Sequence, residues 1–240
     1  MEKTQSARQG SRLFRWIFYV AGMLCLALGI VLNSKSRLGM APILSGMFCL
    51  SEIYGWNFSR LTLYYYILLV AAQFALRGKN CRLVDLLQIP LSIGFTAAME
   101  VFKTWITYVP ETMWQKLGIA CLAVIFTGVG ITMAVNMRIL PNPGDGIVQA
   151  ISDRSGLSLG TSKNCFDGGS AVIGVALGLI LRGKLIGVGL GTIINVVFIG
   201  RVVWLSEKLF KKPMLRVAFG EAQPEAAAEA AETAEEESIE

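Results

Sequence analysis

Lys163 and Asp167 stand four residues apart inside the apolar run 159–181, and Asp145 stands in a shorter polar-edged segment just before it. Ionisable side chains at membrane depth are costly. They face the protein interior, pair with each other, and mark solute or ion pathways. A helix starting near Ser158 puts Asp167 about 13 Å deep and places Lys163 on the same face. Two readings follow: a substrate or ion site, or a structural Lys163–Asp167 pair. Tyr66, in the polar stripe Thr62, Tyr65, Tyr66 and Gln73, corresponds to Asp167 in an internal repeat described below. Asn142, Asn164 and Gln88 complete the candidate substrate-binding set.

Catalytic chemistry has little to work with. The 240 residues contain no histidine, no G-x-S-x-G, no phosphate-binding loop and no metal-ligand spacing. "GVGLGTI" has glycines but neither the dinucleotide fingerprint nor its strand–helix setting. Cys25, Cys49, Cys81, Cys121 and Cys165 are spread singly, without a C-x-x-C pair. The expectation is a protein that is not an enzyme and carries no cofactor and no metal.

The elements that must position these side chains are membrane helices. Apolar residues make up 54% of the chain and charged ones 16%, against about 25% charged in ordinary soluble domains. Apolar runs at 14–33, 60–76, 83–106, 115–136, 159–181 and 186–206 come near the roughly 20 residues that cross a bilayer. The fold class is all-α: a polytopic helix bundle of six spans plus two short half-helices. Lys and Arg counts place fourteen on the side of the N-terminus and seven opposite. Positive residues favour the inside, so both termini are expected in the cytoplasm of a cell with the protein in its inner membrane. If the two short segments also crossed, the tally would be thirteen to eight. Residues 1–13 form a basic cytoplasmic N-terminus. Residues 213–240 form an acidic tail, disordered or partly helical, whose last twenty residues hold eight acids and no base. The basic surplus elsewhere suits juxtamembrane loops and not nucleic acid.

Residues 29–60 lie over 130–161 at a constant shift of 101, with six identities, among them Arg37/Arg138, Pro42/Pro143, Ser51/Ser152 and Gly55/Gly156. The matches fall on punctuation: a span end, a helix-starting proline, a closing glycine. The chain therefore divides into membrane repeats at 14–109 and 110–212. Each reads as span, short helix, span, span. Three spans per repeat turn the second upside down, giving two inverted three-span repeats, a recurrent transporter architecture. In "PNPGDGIVQAISDRSG", Asn142 is an N-cap, Pro143 occupies the first helical position and Gly156 closes the helix. Pro42 and Gly55 do the same in the other repeat. Such a helix either aims polar backbone groups at an interior cavity or lies as a structural cap in the interface or bundle. Pro90 in "LLQIPLSIGF" is expected to kink the third span near Gln88. G-x-x-x-G spacings from Gly174 and Gly183 allow close helix packing. The expected partners are the lipid bilayer, a small solute of unknown identity and, for the transporter reading, a second copy in a homodimer.

"PNPGDGIVQAISDRSGLSLGTSKNCFDGGSAVIG", "DLLQIPLSIGF" and "GVGLGTIINVVFIGRVV" resemble segments of the YczE/YitT-type bacterial integral membrane proteins. The resemblance covers about residues 14–210. It implies a polytopic bacterial inner-membrane protein and names no substrate. "GMAPILSGM" departs from the more acidic P-x-D pattern expected of the resemblance, and an acidic tail is expected in place of the soluble C-terminal domain common in the YitT branch. The expected function is a small secondary transporter or exporter of a small polar or ionic solute, bound between the repeats. The alternative is a non-transporting scaffold or regulator that binds a protein partner.

Overall fold

The computed structural model describes the backbone of residues 2–78, 83–157 and 159–219, and side chains over 12–78, 85–157 and 161–219. Cys81, Lys79, Arg82 and the acidic stretch 220–240 lie outside the described residues. The described chain is helical with no strands. Helices run α1 Glu2–Ser36, α2 Pro42–Tyr54, α3 Phe58–Arg77, α4 Gln88–Trp105, α5 Met113–Asn136, α6 Pro143–Ser155, α7 Leu159–Arg182 and α8 Leu190–Phe219; a 3-10 turn at Leu83–Leu87 precedes α4. Six stretches are long and apolar enough to cross a membrane: 12–36, 58–77, 85–105, 113–136, 161–182 and 190–219. The two short helices are α2 and α6.

Their boundaries follow from local chemistry. Both start with proline at the first helical position, preceded by extended residues (Ala41, Asn142). Both stop at a glycine in the left-handed conformation, Gly55 at φ 68° and Gly156 at φ 72°, which a side chain disfavours. The Ser51 hydroxyl donates to the Trp56 carbonyl and the Ser152 hydroxyl to the Leu157 carbonyl, each at 2.7 Å. Before each short helix the chain turns at an arginine of positive φ, Arg37 at 55° and Arg138 at 51°. These four pairs are the positions matched at a shift of 101.

The centre of the bundle is the contact between α1 and α5, and it obeys the same shift. A side chain on Gly29 would run into the Ala123 carbonyl and Thr127. One on Gly130 would run into the Gly22 carbonyl and Leu26. Adding 101 to Gly22, Leu26 and Gly29 gives 123, 127 and 130, so the two halves of the contact are equivalent. The flanking contacts are equivalent too. Ser45 of α2 touches Gly174 of α7, and Gly146 of α6 touches Gln73 of α3; these positions also differ by 101. Each short helix thus packs mainly on a span of the opposite half. Around them lies an apolar core that includes Leu26, Met40, Leu44, Tyr66, Met99 and Ile147.

Two expectations are refined. Pro90 lies at the start of a helix and not within one. The run 83–106 breaks into a 3-10 turn and then α4, which starts at Gln88. Pro90 therefore sits in the first turn of α4, where a missing N–H costs nothing. The stretch assigned to the tail, disordered or partly helical, is helical at its start. α8 continues through Pro213 to Phe219, because Met214 and Ala218 are buried against Tyr19, Ala134 and Met137. That burial outweighs the one backbone bond a proline removes.

Candidate functional site

Gln73, Gln88 and Pro143 tie α6 to α3 and α4. The two glutamine amides, each 1% exposed, exchange hydrogen bonds: Gln73 Nε2 donates to Gln88 Oε1 at 3.3 Å, and Gln88 Nε2 to Gln73 Oε1 at 3.2 Å. Gln73 Nε2 also donates to the Pro143 carbonyl at 3.1 Å. Gly146 makes room, since a side chain there would lie 2.5 Å from Gln73 Oε1. Gln88 is therefore a member of a buried brace and does not reach the cleft described below. Gln73→Leu leaves the Gln88 amide in an apolar setting with its main partner gone. The expected loss is about 1–2 kcal/mol, since interhelical hydrogen bonds in membranes are individually modest but a buried amide without a partner costs more. Chemical unfolding of the purified protein in mixed micelles checks it, with Gln73→Leu/Gln88→Leu expected to recover part of the loss.

The start of α6 is closed to ligands at its backbone. Pro143 has no N–H. The Gly144 N–H donates to Asn142 Oδ1 at 3.1 Å, and the N–H groups of Asp145 and Gly146 donate to the Asn142 carbonyl, each at 2.9 Å. The picture of free amides aimed at a cavity therefore gives way to one in which side chains present the chemistry. Asn142 also meets the hydroxyl of buried Tyr66, whose electrostatic surroundings include Asp145. Tyr65 meets Ser170 and senses the charge of Asp167.

Asp145, Lys163 and Asp167 form one chain of charge. Lys163 Nζ lies 3.7 Å from Asp145 Oδ1 and 3.4 Å from Asp167 Oδ2. The second pair is the four-residue spacing on α7; the first joins α6 to α7. Desolvation pushes the Asp145 carboxyl above the usual carboxylate range, Lys163 draws it back, and Asp167 adds to the rise. Asn164, by contrast, is exposed on α7 and does not line the cleft described below.

Asp145, Asn142 and Lys163 line a cleft of about 510 Å³. Its walls come from α1 (Met23, Leu26), the end of α5, the 138–142 connection, α6 and α7. Gln149 and Arg138 add polar groups. The volume falls within the range of small-molecule pockets. Arg138 was legible only as a juxtamembrane charge and as the repeat match of Arg37. Its positive φ, which a non-glycine residue adopts at a cost, turns the chain at the cleft mouth. Among the described residues no group of three His, Cys, Asp or Glu is placed to hold a metal ion, and Cys25, Cys49, Cys121 and Cys165 are free thiols.

Neither a curated protein nor a solved structure matches the chain. A family model does match, over residues 13–208, which takes in all six spans and both short helices up to the last turns of α8. The chain is thus a multi-pass helical membrane protein that belongs to DUF6198, a family of unknown function.

Proposed function

We propose that the protein is a small secondary transporter of a polar or ionic solute, built from two inverted three-span repeats, with its solute site in the cleft between α1, α5, α6 and α7. The observation that carries this reading is the reciprocal α1–α5 crossing, in which each half meets the other through equivalent residues while its short helix leans on the opposite half. Transporters built from inverted repeats work by rocking one half against the other around a central site. The Asp145–Lys163–Asp167 chain at the α6–α7 junction supplies ionisable groups whose pairing can change with solute or ion. The resemblance to YczE/YitT-type proteins supports a bacterial inner-membrane setting, with both termini cytoplasmic.

Two measurements test the proposal. Trp56 and Leu157 close the two short helices and are 53% and 46% exposed. Cysteines placed there in a cysteine-free background are expected to label from opposite sides of the membrane; labelling from one side removes the inverted architecture. Asp145→Asn and Asp167→Asn are each expected to slow transport of an identified solute about tenfold or more, a change of about 1.4 kcal/mol, with insertion unchanged. Wild-type rates in both remove the site. Loss of function on deleting 221–240, with the six-span body intact, favours the scaffold reading, in which a partner binds through the loops or the tail.

A further inference from the structure

The charged groups at the cleft balance in number, Asp145 and Asp167 against Lys163 and Arg138, but are not paired one to one. Lys163 is shared by two carboxylates, so the group Asp145–Lys163–Asp167 carries one net negative charge. Lys163 lies nearer Asp167, within its own helix, than Asp145, which belongs to α6. Asp145 is thus the carboxylate that an incoming cation can take over while Lys163 keeps a partner. On the same cleft, Arg138 is exposed and its guanidinium has no hydrogen-bond or ion-pair partner among the described residues. Its planar fork suits a carboxylate or phosphate better than any other side chain. Nine of the fourteen lining residues are apolar, so the space beyond the charged groups is hydrocarbon-like.

We infer that the cleft binds a zwitterion with an apolar body: a primary ammonium on Asp145, an anionic oxygen group on Arg138, and the apolar part against Met23, Leu26 and Ile131. A simple anion leaves Asp145 facing like charge. A simple cation leaves Arg138 unpaired. A strongly polar solute leaves the apolar wall wet. Two sources share the required chemistry: a free amino acid with a bulky apolar side chain, and the headgroup region of a phosphatidylethanolamine. This assignment rests on the cleft being the transporter's solute site.

The test uses the full chain in phosphatidylcholine nanodiscs, a lipid without a primary ammonium. The probes are L-phenylalanine, its amide (no anionic group), N-acetyl-L-phenylalanine (no cationic group) and dihexanoyl-phosphatidylethanolamine, read by calorimetry. For the wild type, the zwitterion is expected to bind about tenfold tighter than either single-charge derivative. Arg138→Gln is expected to erase the advantage over the amide and keep that over the N-acetyl compound. Asp145→Asn is expected to do the reverse. Two different selective losses cannot come from general damage to the fold, and both variants are conservative in size. Binding of the lipid alone, sensitive to the same two variants, assigns the membrane source; binding of the amino acid series assigns the soluble one. No binding in either series, or ratios unchanged in both variants, overturns the inference. Failure here with transport of another solute intact removes the ligand class alone. Binding with no transport in vesicles upholds the ligand class and removes the transporter reading.

Discussion

Gly130→Ala is expected to cost about 2–3 kcal/mol of stability, and Gly118→Ala, on the same helix, to raise stability by up to about 1 kcal/mol. Alanine is the better helix former at any open position, by about 1 kcal/mol. A side chain on Gly118 meets nothing within 4 Å, so there only the propensity gain operates. At Gly130 an added carbon would lie 2.5 Å from the Leu26 nitrogen and 2.7 Å from the Gly22 carbonyl oxygen. Both are backbone atoms of α1 and cannot rotate away. The helices must move apart, and overpacking of this kind costs about 1–3 kcal/mol. The cost falls at the upper end because the crossing holds both halves together, and separating it loosens contacts along its length. Gly22→Ala is expected to act similarly, with the added carbon 2.7 Å from the Ala134 nitrogen. The double variant Gly22→Ala/Gly130→Ala is expected to lose less than the sum, because both changes open one crossing. Unfolding of the purified variants in a denaturing-detergent titration reads all four. Equal, small shifts for Gly130→Ala and Gly118→Ala would show that α1 and α5 do not approach this closely.

Relations within a helix were legible from the sequence, and relations between helices were legible only through the repeat. The Lys163–Asp167 pair follows from a four-residue spacing and needs no tertiary information. The proline and glycine that frame α6 act through their own backbones, so α6 begins and ends where they stand. The Asp145–Lys163 contact depends on how α6 meets α7, which no periodicity encodes. Gln73 and Gln88 were each visible as polar residues in apolar runs, but their mutual hydrogen bonds depend on how α4 packs alongside α3. Pro90 misled because hydropathy joins a 3-10 turn and a helix into one apolar run; a proline that looks internal to the run is initial to the helix. Arg138 was missed for a similar reason. A basic residue at a span end has an ordinary explanation, and only the folded chain shows it facing Asp145 and Lys163 around one cleft.

Arg77→Met is the second change with a large expected effect, and it separates stability from function. Arg77 Nη1 donates to Asp85 Oδ2 at 2.8 Å, and the two side chains are 15% and 12% exposed. A second contact, 3.6 Å to Asp153 of α6, involves a carboxylate that is 66% exposed and contributes little. The Arg77–Asp85 pair joins the end of α3 to the 3-10 turn that precedes α4. Breaking a buried pair by removing one member costs about 3–5 kcal/mol, because the remaining charge stays buried without compensation. Arg77→Met keeps the apolar stem and removes the charge, so it is expected to lose about 3 kcal/mol. Arg77→Met/Asp85→Asn, which removes the stranded charge as well, is expected to recover most of that. Lys163→Met presents the opposite case. Its side chain is 49% exposed and its pairs lie at 3.4 and 3.7 Å, so its stability contribution is about 0–1 kcal/mol. Its loss is expected to leave folding intact while freeing Asp145 and Asp167 from their shared cation and altering what the cleft binds. Unfolding titrations and zwitterion binding measured on the same preparations give the result: Arg77→Met shifted in unfolding with unchanged affinity for its folded fraction, Lys163→Met the reverse. If Lys163→Met unfolds the protein as readily as Arg77→Met, the Asp145–Lys163–Asp167 chain is a structural brace and the cleft loses its claim to be a site.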